Sequence, residues 1–288
     1  MNMRMHRVAM QLEKIDRLDA IAEPLGNAVK KAIPAGRLKD LLSGSWLGHQ
    51  LHPLLTDIPI GSFTSATLLD LVGGRRGQSA ANLLAAVGVV STVPTAAAGL
   101  ADWSDTYGPA RRIGVVHAAA NLVGVGFYVA SISARRRGNK LSATALGLMG
   151  MGTMSVGGYL GGHLTLVRGV GVNHTFMEDA APEWTPVLSK DELKDGVPVL
   201  VDLDNVSTLL YRTAGTTYAL SNRCTHAGGP LNEGEFDESG AGEPCVKCPW
   251  HQSVFRLSDG AVMHGPAAVP QPTYDVQVTG DKIAVRPR

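Results

Sequence analysis

Three stretches of this 288-residue chain, 79–101, 113–134 and 141–167, contain no Asp, Glu, Lys or Arg. A fourth apolar stretch, 51–74, precedes them. About twenty apolar residues suffice to cross a bilayer as a helix, and each stretch reaches that length. A helix of a soluble domain would carry a polar face, and these carry none. Their connections are short and charged: "GGRRGQ", "DWSDTYGPARR" and "SARRRGNK". The pattern predicts a four-helix transmembrane domain over 48–167, the alternative being a buried soluble bundle. Gly157, Gly158, Gly161 and Gly162 supply small-xxx-small pairs suited to close helix contact.

The flanking regions differ in charge and in pattern. Residues 1–53 hold eight Lys/Arg against five Asp/Glu, whereas 183–288 hold nine against fourteen. Such asymmetry argues for separate units in different surroundings. Across the chain 26 basic residues nearly balance 25 acidic ones, so no nucleic-acid partner is implied. In segment 1–47, Leu12, Ile15, Leu18 and Ile21, then Leu25, Val29 and Ile33, recur at helical spacing with Lys and Arg between them. This predicts short amphipathic helices, lying on a membrane surface or packed on the rest of the protein. Residues 168–183 read as a linker. From 184 to 288, short runs such as "PVLVDLD", "STLLYRT" and "DKIAVRP" alternate with Gly, Asp, Asn and Pro turns, as in a small all-β domain. The expected architecture is therefore multidomain: an all-α four-helix transmembrane bundle followed by an all-β domain.

All three cysteines lie in that last region, at 224, 245 and 248, which argues against a secreted disulfide framework. Cys224 and His226 form Cys-x-His; Cys248 and His251 form Cys-x-x-His, beginning 22 positions after His226. Two loops, each with one thiolate and one imidazole, suit a 2Fe–2S cluster whose irons take two Cys and two His respectively. The same ligand types suit tetrahedral zinc. Cys245 makes Cys-x-x-Cys with Cys248 but reads as a strand residue.

The stretch "CTHAGGPLNEGEF…KCPWHQSVFRLSDGAVMHGPAAVPQPTYDV" resembles the Rieske iron–sulfur domain, over about 184–288. The likeness rests on both ligand pairs, Pro249 and Trp250, Phe255, the Asp259–Gly260 turn and the Gly265–Pro266 loop. It implies a 2Fe–2S cluster held by Cys224, His226, Cys248 and His251, with the Gly-Pro loop over it. No extra cysteine stands in either ligand loop, so the branch resembled is that of ferredoxins and oxygenases. Ser253 stands where a hydroxyl bonds a cluster sulfur in high-potential relatives, while Phe255 replaces the Tyr of that branch. Gln252 departs from the Gly usual after the last histidine. Similarly, "GHQLHPLLTDIPIG", "DWSDTYGPARRIGVVHAAAN" and "GGYLGGHLTLVRGVGV" resemble an uncharacterised family of bacterial four-helix membrane domains, opening on a Gly-His-Pro-x-His-Pro-like motif. Gln50 stands where Pro is usual there.

With four segments crossing up and down, His49, His52, Asp57, Asp102, His117 and His163 fall at one end of the bundle. Ionisable groups are expensive inside a membrane, so a shared level suggests a site. His49, His52, His117 and His163 are its candidates, as ligands of haem b or another metal, as a quinone site, or as interfacial capping residues. Arg75, Arg76, Arg135, Arg136, Arg137 and Lys140 crowd the opposite end, while Arg37, Lys39, Arg111, Arg112 and Arg168 lie near the histidine end. The positive-inside count is close to a tie. The absence of a twin-arginine signal and of cysteine pairs favours a cytoplasmic cluster domain on a multi-pass protein of the bacterial inner membrane.

These readings converge on a membrane-anchored protein passing single electrons between a soluble partner and a membrane-side acceptor, rather than an independent catalyst. The acidic positions Glu233, Glu235, Asp237 and Glu238 could steer a basic partner. A stand-alone Rieske oxygenase needs a second, two-His-one-carboxylate iron domain, and only 37 residues follow His251. Alternatives are a two-centre membrane oxidoreductase using haem, quinone or metal at the bundle histidines, and a redox sensor.

Overall fold

The computed structural model describes residues 4–74, 76–237 and 243–288. Arg75 and Glu238, named above for their charge, lie outside the described residues. The chain divides into two units. One comprises residues up to Ile33 together with Leu51–Val170, and the other Pro34–Gln50 with Gly171–Arg288.

The first unit is helical. Its N-terminal helices are α1 (Arg4–Leu12) and α2 (Asp19–Ala32). The second unit's helix α3 (Arg37–Ser43) follows in the chain, and then come four long helices, α4 (Leu51–Val72), α5 (Gly77–Trp103), α6 (Gly108–Arg136) and α7 (Lys140–Leu166). Among the described residues, α5 and α6 are long and apolar enough to span a membrane. At 1.5 Å per residue, their 27 and 29 residues give about 40 Å each. Two carboxylates lower the hydropathy of α4, and frequent Gly, Ser and Thr lower that of α7.

Small residues set the closeness of these helices. Phe63 of α4 stacks on Tyr128 of α6 with centroids 4.0 Å apart. A Cβ on Gly88 would lie 2.6 Å from the Phe63 ring, and one on Gly150 would lie 2.8 Å from Tyr128. At the other end of α4, the buried Asp70 pairs with the buried Arg135 of α6, and Arg135 also reaches the Ala81 carbonyl of α5 at 3.4 Å.

The N-terminal helices pack on the bundle. Ala9 of α1 is buried with Ile113 and Leu160, and Ala22 and Val29 of α2 are buried with Trp103. Polar contacts fix the same end. The buried Arg111 donates to Glu23 at 2.7 Å and Arg112 to Asp19 at 2.7 Å. These contacts account for the interleaved charges of the segment. The sequence reading treats 1–47 as one segment; the structure divides it, because α3 and the residues after it join the second unit.

That second unit is built on two antiparallel sheets. Its strands are β1 (Thr185–Ser189), β2 (Val199–Leu203), β3 (Val206–Thr213), β4 (Thr216–Ser221), β5 (Glu235–Asp237), β6 (Cys245–Lys247), β7 (Val254–Arg256), β8 (Val262–His264), β9 (Thr273–Thr279) and β10 (Lys282–Pro287). The larger sheet has the order β1-β10-β9-β4-β3-β2, the smaller β5-β6-β7-β8. Leu209, Leu220, Leu231, Val246, Phe255 and Leu257 form one core, in which Cys224 and Cys248 are also buried. Cys245, the third thiol, opens β6 as a half-buried strand residue. Helix α3 contributes Asp40, whose carboxylate accepts from the Gly265 N–H at 2.7 Å and from His264 Nδ1 at 2.9 Å.

Candidate metal centre

Two loops of the β unit share one design. In the first, after β4, the Cys224 N–H donates to the Gly229 carbonyl at 2.9 Å, and the Gly228 N–H returns to the Cys224 carbonyl at 2.8 Å. In the second, after β6, the Cys248 N–H donates to Ser253 at 2.8 Å, and the Gln252 N–H returns to Cys248 at 3.1 Å. Each cysteine thus closes its loop from both sides. The residue four places on is left-handed in both, with φ 78° at Gly228 and 65° at Gln252. Glycine takes that conformation freely, whereas a side chain is strained by roughly 1–2 kcal/mol. Gln252 is solvent-exposed, so Gln252→Gly is expected to raise stability by about 1 kcal/mol, measured as the denaturant midpoint at unchanged slope.

The loops bring their ligand-type side chains together in like pairs. Cys224 and Cys248 are 1% and 2% exposed. Their thiols share a hydrogen bond that holds Cys248 down to about 7 and pushes Cys224 above its ordinary value. His226 and His251 face each other edge-on, with ring centroids 4.9 Å apart. A Cβ on Gly229 would lie 2.9 Å from Cys248 Sγ and 3.1 Å from the Trp250 ring, so a side chain here would displace the second loop's cysteine. Among the described residues no three His, Cys, Asp or Glu side chains converge on a single ion. A single tetrahedral zinc would draw all four side chains onto one point, whereas a sulfur pair set beside a nitrogen pair gives each of two irons two protein ligands.

A third segment closes over the site. The Ala267 N–H donates to Ser253 Oγ at 2.9 Å, tying the segment after Gly265–Pro266 to the second loop. Gln271, buried and flanked by prolines, holds the first loop from behind. Its Oε1 accepts from the Thr225 N–H at 3.1 Å, and its Nε2 donates to the Ser221 and Arg223 carbonyls at 2.9 and 2.7 Å. Thr225, between Cys224 and His226, also donates its hydroxyl to the Val269 carbonyl at 2.9 Å. Nothing in the local pattern around Gln271 marks it, because its partners are backbone groups some fifty positions earlier.

Residues 183–275 match the Rieske [2Fe-2S] domain family. The ferredoxin subunit of 3-phenylpropionate/cinnamic acid dioxygenase from Escherichia coli (strain K12) is 30% identical over 94 residues, 33% of this chain and 84% of that protein. The chain belongs to the Rieske [2Fe-2S] family. Its Rieske domain is also similar to the solved ferredoxin of carbazole 1,9a-dioxygenase from Nocardioides aromaticivorans IC177, at 34% identity over 36% of this chain and 98% of that one, with a TM-score of 0.34. For the Sphingomonas yanoikuyae B1 ferredoxin the identity is 24%, over 37% and 100%, with a TM-score of 0.33. Residues 48–174 match a second family, described as predicted membrane protein (DUF2231). The Rieske protein thus carries a 2Fe–2S cluster and an electron-transfer role, joined to a membrane-type domain.

The four histidine candidates of the helical region part company. His49 falls in the 34–50 segment of the other unit and is exposed. His163, buried near the end of α7, donates Nε2–H to Glu13 at 2.7 Å. Arg168 also binds Glu13 and holds its carboxyl below the usual range. His163 is thereby committed to fastening the N-terminal segment. His52 of α4 and His117 of α6 are brought together, with ring centroids 6.4 Å apart.

Proposed function

We propose that this protein is a membrane-anchored one-electron carrier in which Cys224 and Cys248 hold one iron of the cluster and His226 and His251 the other. The observation that carries the reading is the pair of identically closed loops, which set two thiols beside two imidazoles. A 2Fe–2S cluster takes up and releases one electron at a time. The burial of both cysteines keeps water from the sulfur side. Trp250, 55% exposed beside His251, marks the face where a partner would approach. The Escherichia coli relative named above is the ferredoxin subunit of a dioxygenase, which supports a soluble redox protein as one partner. The helical unit is the anchor in this reading, with four membrane crossings, the Rieske domain on the cytoplasmic side, and a lipid-soluble or membrane-bound acceptor such as quinone.

The test is the reduced, iron-replete full-length protein studied by EPR. A rhombic signal of mixed His/Cys ligation is expected, lost in Cys248→Ser and in His251→Ala. Bound zinc without iron would sink the cluster assignment. Retention in membranes through high salt and alkaline carbonate is expected, and release by carbonate would sink the anchoring while leaving the cluster intact.

Ser253 sets a further expectation. Its buried oxygen accepts from Ala267, which leaves its own hydrogen to donate toward the cluster, and hydrogen bonds to cluster sulfurs tune the potential. A hydrogen bond of roughly 1–2 kcal/mol equals about 40–90 mV for one electron. Ser253→Ala is expected to lower the reduction potential by that amount in a redox titration.

A further inference from the structure

His52 and His117 occupy equivalent places in two helical hairpins. In the α4–α5 hairpin, His52 Nδ1 lies 2.9 Å from the Thr95 carbonyl. In the α6–α7 hairpin, His117 Nδ1 lies 2.7 Å from the Gly157 carbonyl. Four residues beyond each carbonyl stands a glycine under the ring. A Cβ on Gly99 would lie 2.7 Å from His52 Cε1, and one on Gly161 would lie 3.0 Å from His117 Cε1. Each hairpin therefore seats its histidine by the same two devices, one hydrogen bond and one missing side chain.

The chemistry of those hydrogen bonds fixes the tautomer. A carbonyl oxygen only accepts, so Nδ1 carries the hydrogen in both rings. Two imidazolium ions this close among apolar helices would be costly, and the neutral rings hold their lone pairs on Nε2. An N–H fixed to a backbone carbonyl, with the other nitrogen left basic, is the arrangement that orients a metal-ligating histidine. Asn121 Nδ2 lies 3.3 Å from His117 Nε2 and 3.4 Å from Nδ1. Being nearly equidistant, it does not lie along the Nε2 lone pair, and it donates to the His117 carbonyl at 2.9 Å.

The spacing narrows the geometry. A metal–nitrogen bond of about 2 Å places a ring centroid roughly 3 Å from the metal. Two rings on one tetrahedral ion then stand roughly 5 Å apart, and two trans rings roughly 6 Å. The 4.9 Å of His226 and His251 matches the first arrangement, and the 6.4 Å of His52 and His117 matches the second. No third His, Cys, Asp or Glu joins them among the described residues. With none of these side chains to fill them, the remaining positions of such a centre suit a ligand from outside the chain, as a porphyrin supplies four in-plane nitrogens to iron.

We propose that His52 and His117 are the trans imidazole ligands of one transition-metal centre in the helical unit, the iron of a haem. The inference does not depend on the Rieske cluster, whose own EPR signal serves as the folding control. Full-length protein would be prepared from cells given ample haem and copper, then measured by pyridine haemochrome, ferric EPR and metal analysis. One low-spin haem per chain is expected, absent from His52→Ala and from His117→Ala and retained in His163→Ala. Added imidazole is expected to restore the low-spin spectrum to His117→Gly, which separates ligand loss from misfolding. One copper per chain lost in the same two variants would overturn the haem and leave the two imidazoles as a bare-ion site. Preparations with no metal beyond the two cluster irons, or a centre that survives both substitutions, would overturn the proposal.

Discussion

Asp70→Ala is expected to destabilise the helical unit by about 3–5 kcal/mol. The side chains of Asp70 and Arg135 are 1% and 4% exposed, and their contact joins α4 to α6. Removing the carboxylate leaves a guanidinium buried among apolar helices, with, among the described residues, the 3.4 Å contact to the Ala81 carbonyl in compensation. The cost comes from that stranded charge and not from the lost attraction alone. Replacing both residues by apolar ones of similar volume is therefore expected to cost far less than either single change. Thermal unfolding in detergent, followed by far-UV circular dichroism for the two single variants and the double, checks this. Additive losses would show that the ion pair contributes no coupling.

Gly260→Ala is expected to cost at least about 3 kcal/mol and to leave the protein largely without its cluster. Gly260 has φ 71°, and a Cβ there would stand 1.9 Å from the Gln271 carbonyl oxygen. That oxygen belongs to backbone and cannot swing aside. Gln271 is also bonded through its own N–H to the Gly260 carbonyl at 2.8 Å, so the two segments must separate together. The side chain of Gln271 would then withdraw from the Thr225 N–H, and with it the support between Cys224 and His226. Gln271→Ala keeps the turn but removes the support, and a milder loss is expected. Iron content and the denaturant midpoint of the two variants distinguish the effects.

The metal chemistry was legible because it needs particular residue types at short spacings. Cys-x-His and Cys-x-x-His name their own ligands, and the β-rich pattern around them predicts a sheet domain. The resemblance over 184–288 agrees with the family match over 183–275. Gln252 was legible as a departure from Gly, and its positive φ gives the departure a physical cost. Contacts distant in sequence left no such mark. Gln271 acts on backbone, so its partners have no residue type to match. His163 reads like His52 and His117 along the helices, and only Glu13, 150 positions away, separates it from them. The charges of 1–33 look like a surface pattern until Arg111, Arg112 and Arg168 are seen to meet them. Bilayer-length apolar stretches were plain, yet the Gly, Ser and Thr that let helices approach also lower hydropathy, and among the described residues α5 and α6 alone are long and apolar enough to span a membrane.

The unit that contains the Rieske domain is discontinuous along the chain. Asp40 meets Gly265 across 225 positions, and the chain passes from one unit to the other after Ile33, Gln50 and Val170. A fragment cut at Gly171 would carry all four cluster ligands yet leave His264 and the Gly265 N–H without the Asp40 carboxylate. During synthesis the helical unit is complete before the β unit has received its larger part, so α3 waits through the whole bundle for its partner. Moving residues 171–288 alone into another protein would break that seam, and moving residues 34–50 with them would keep it.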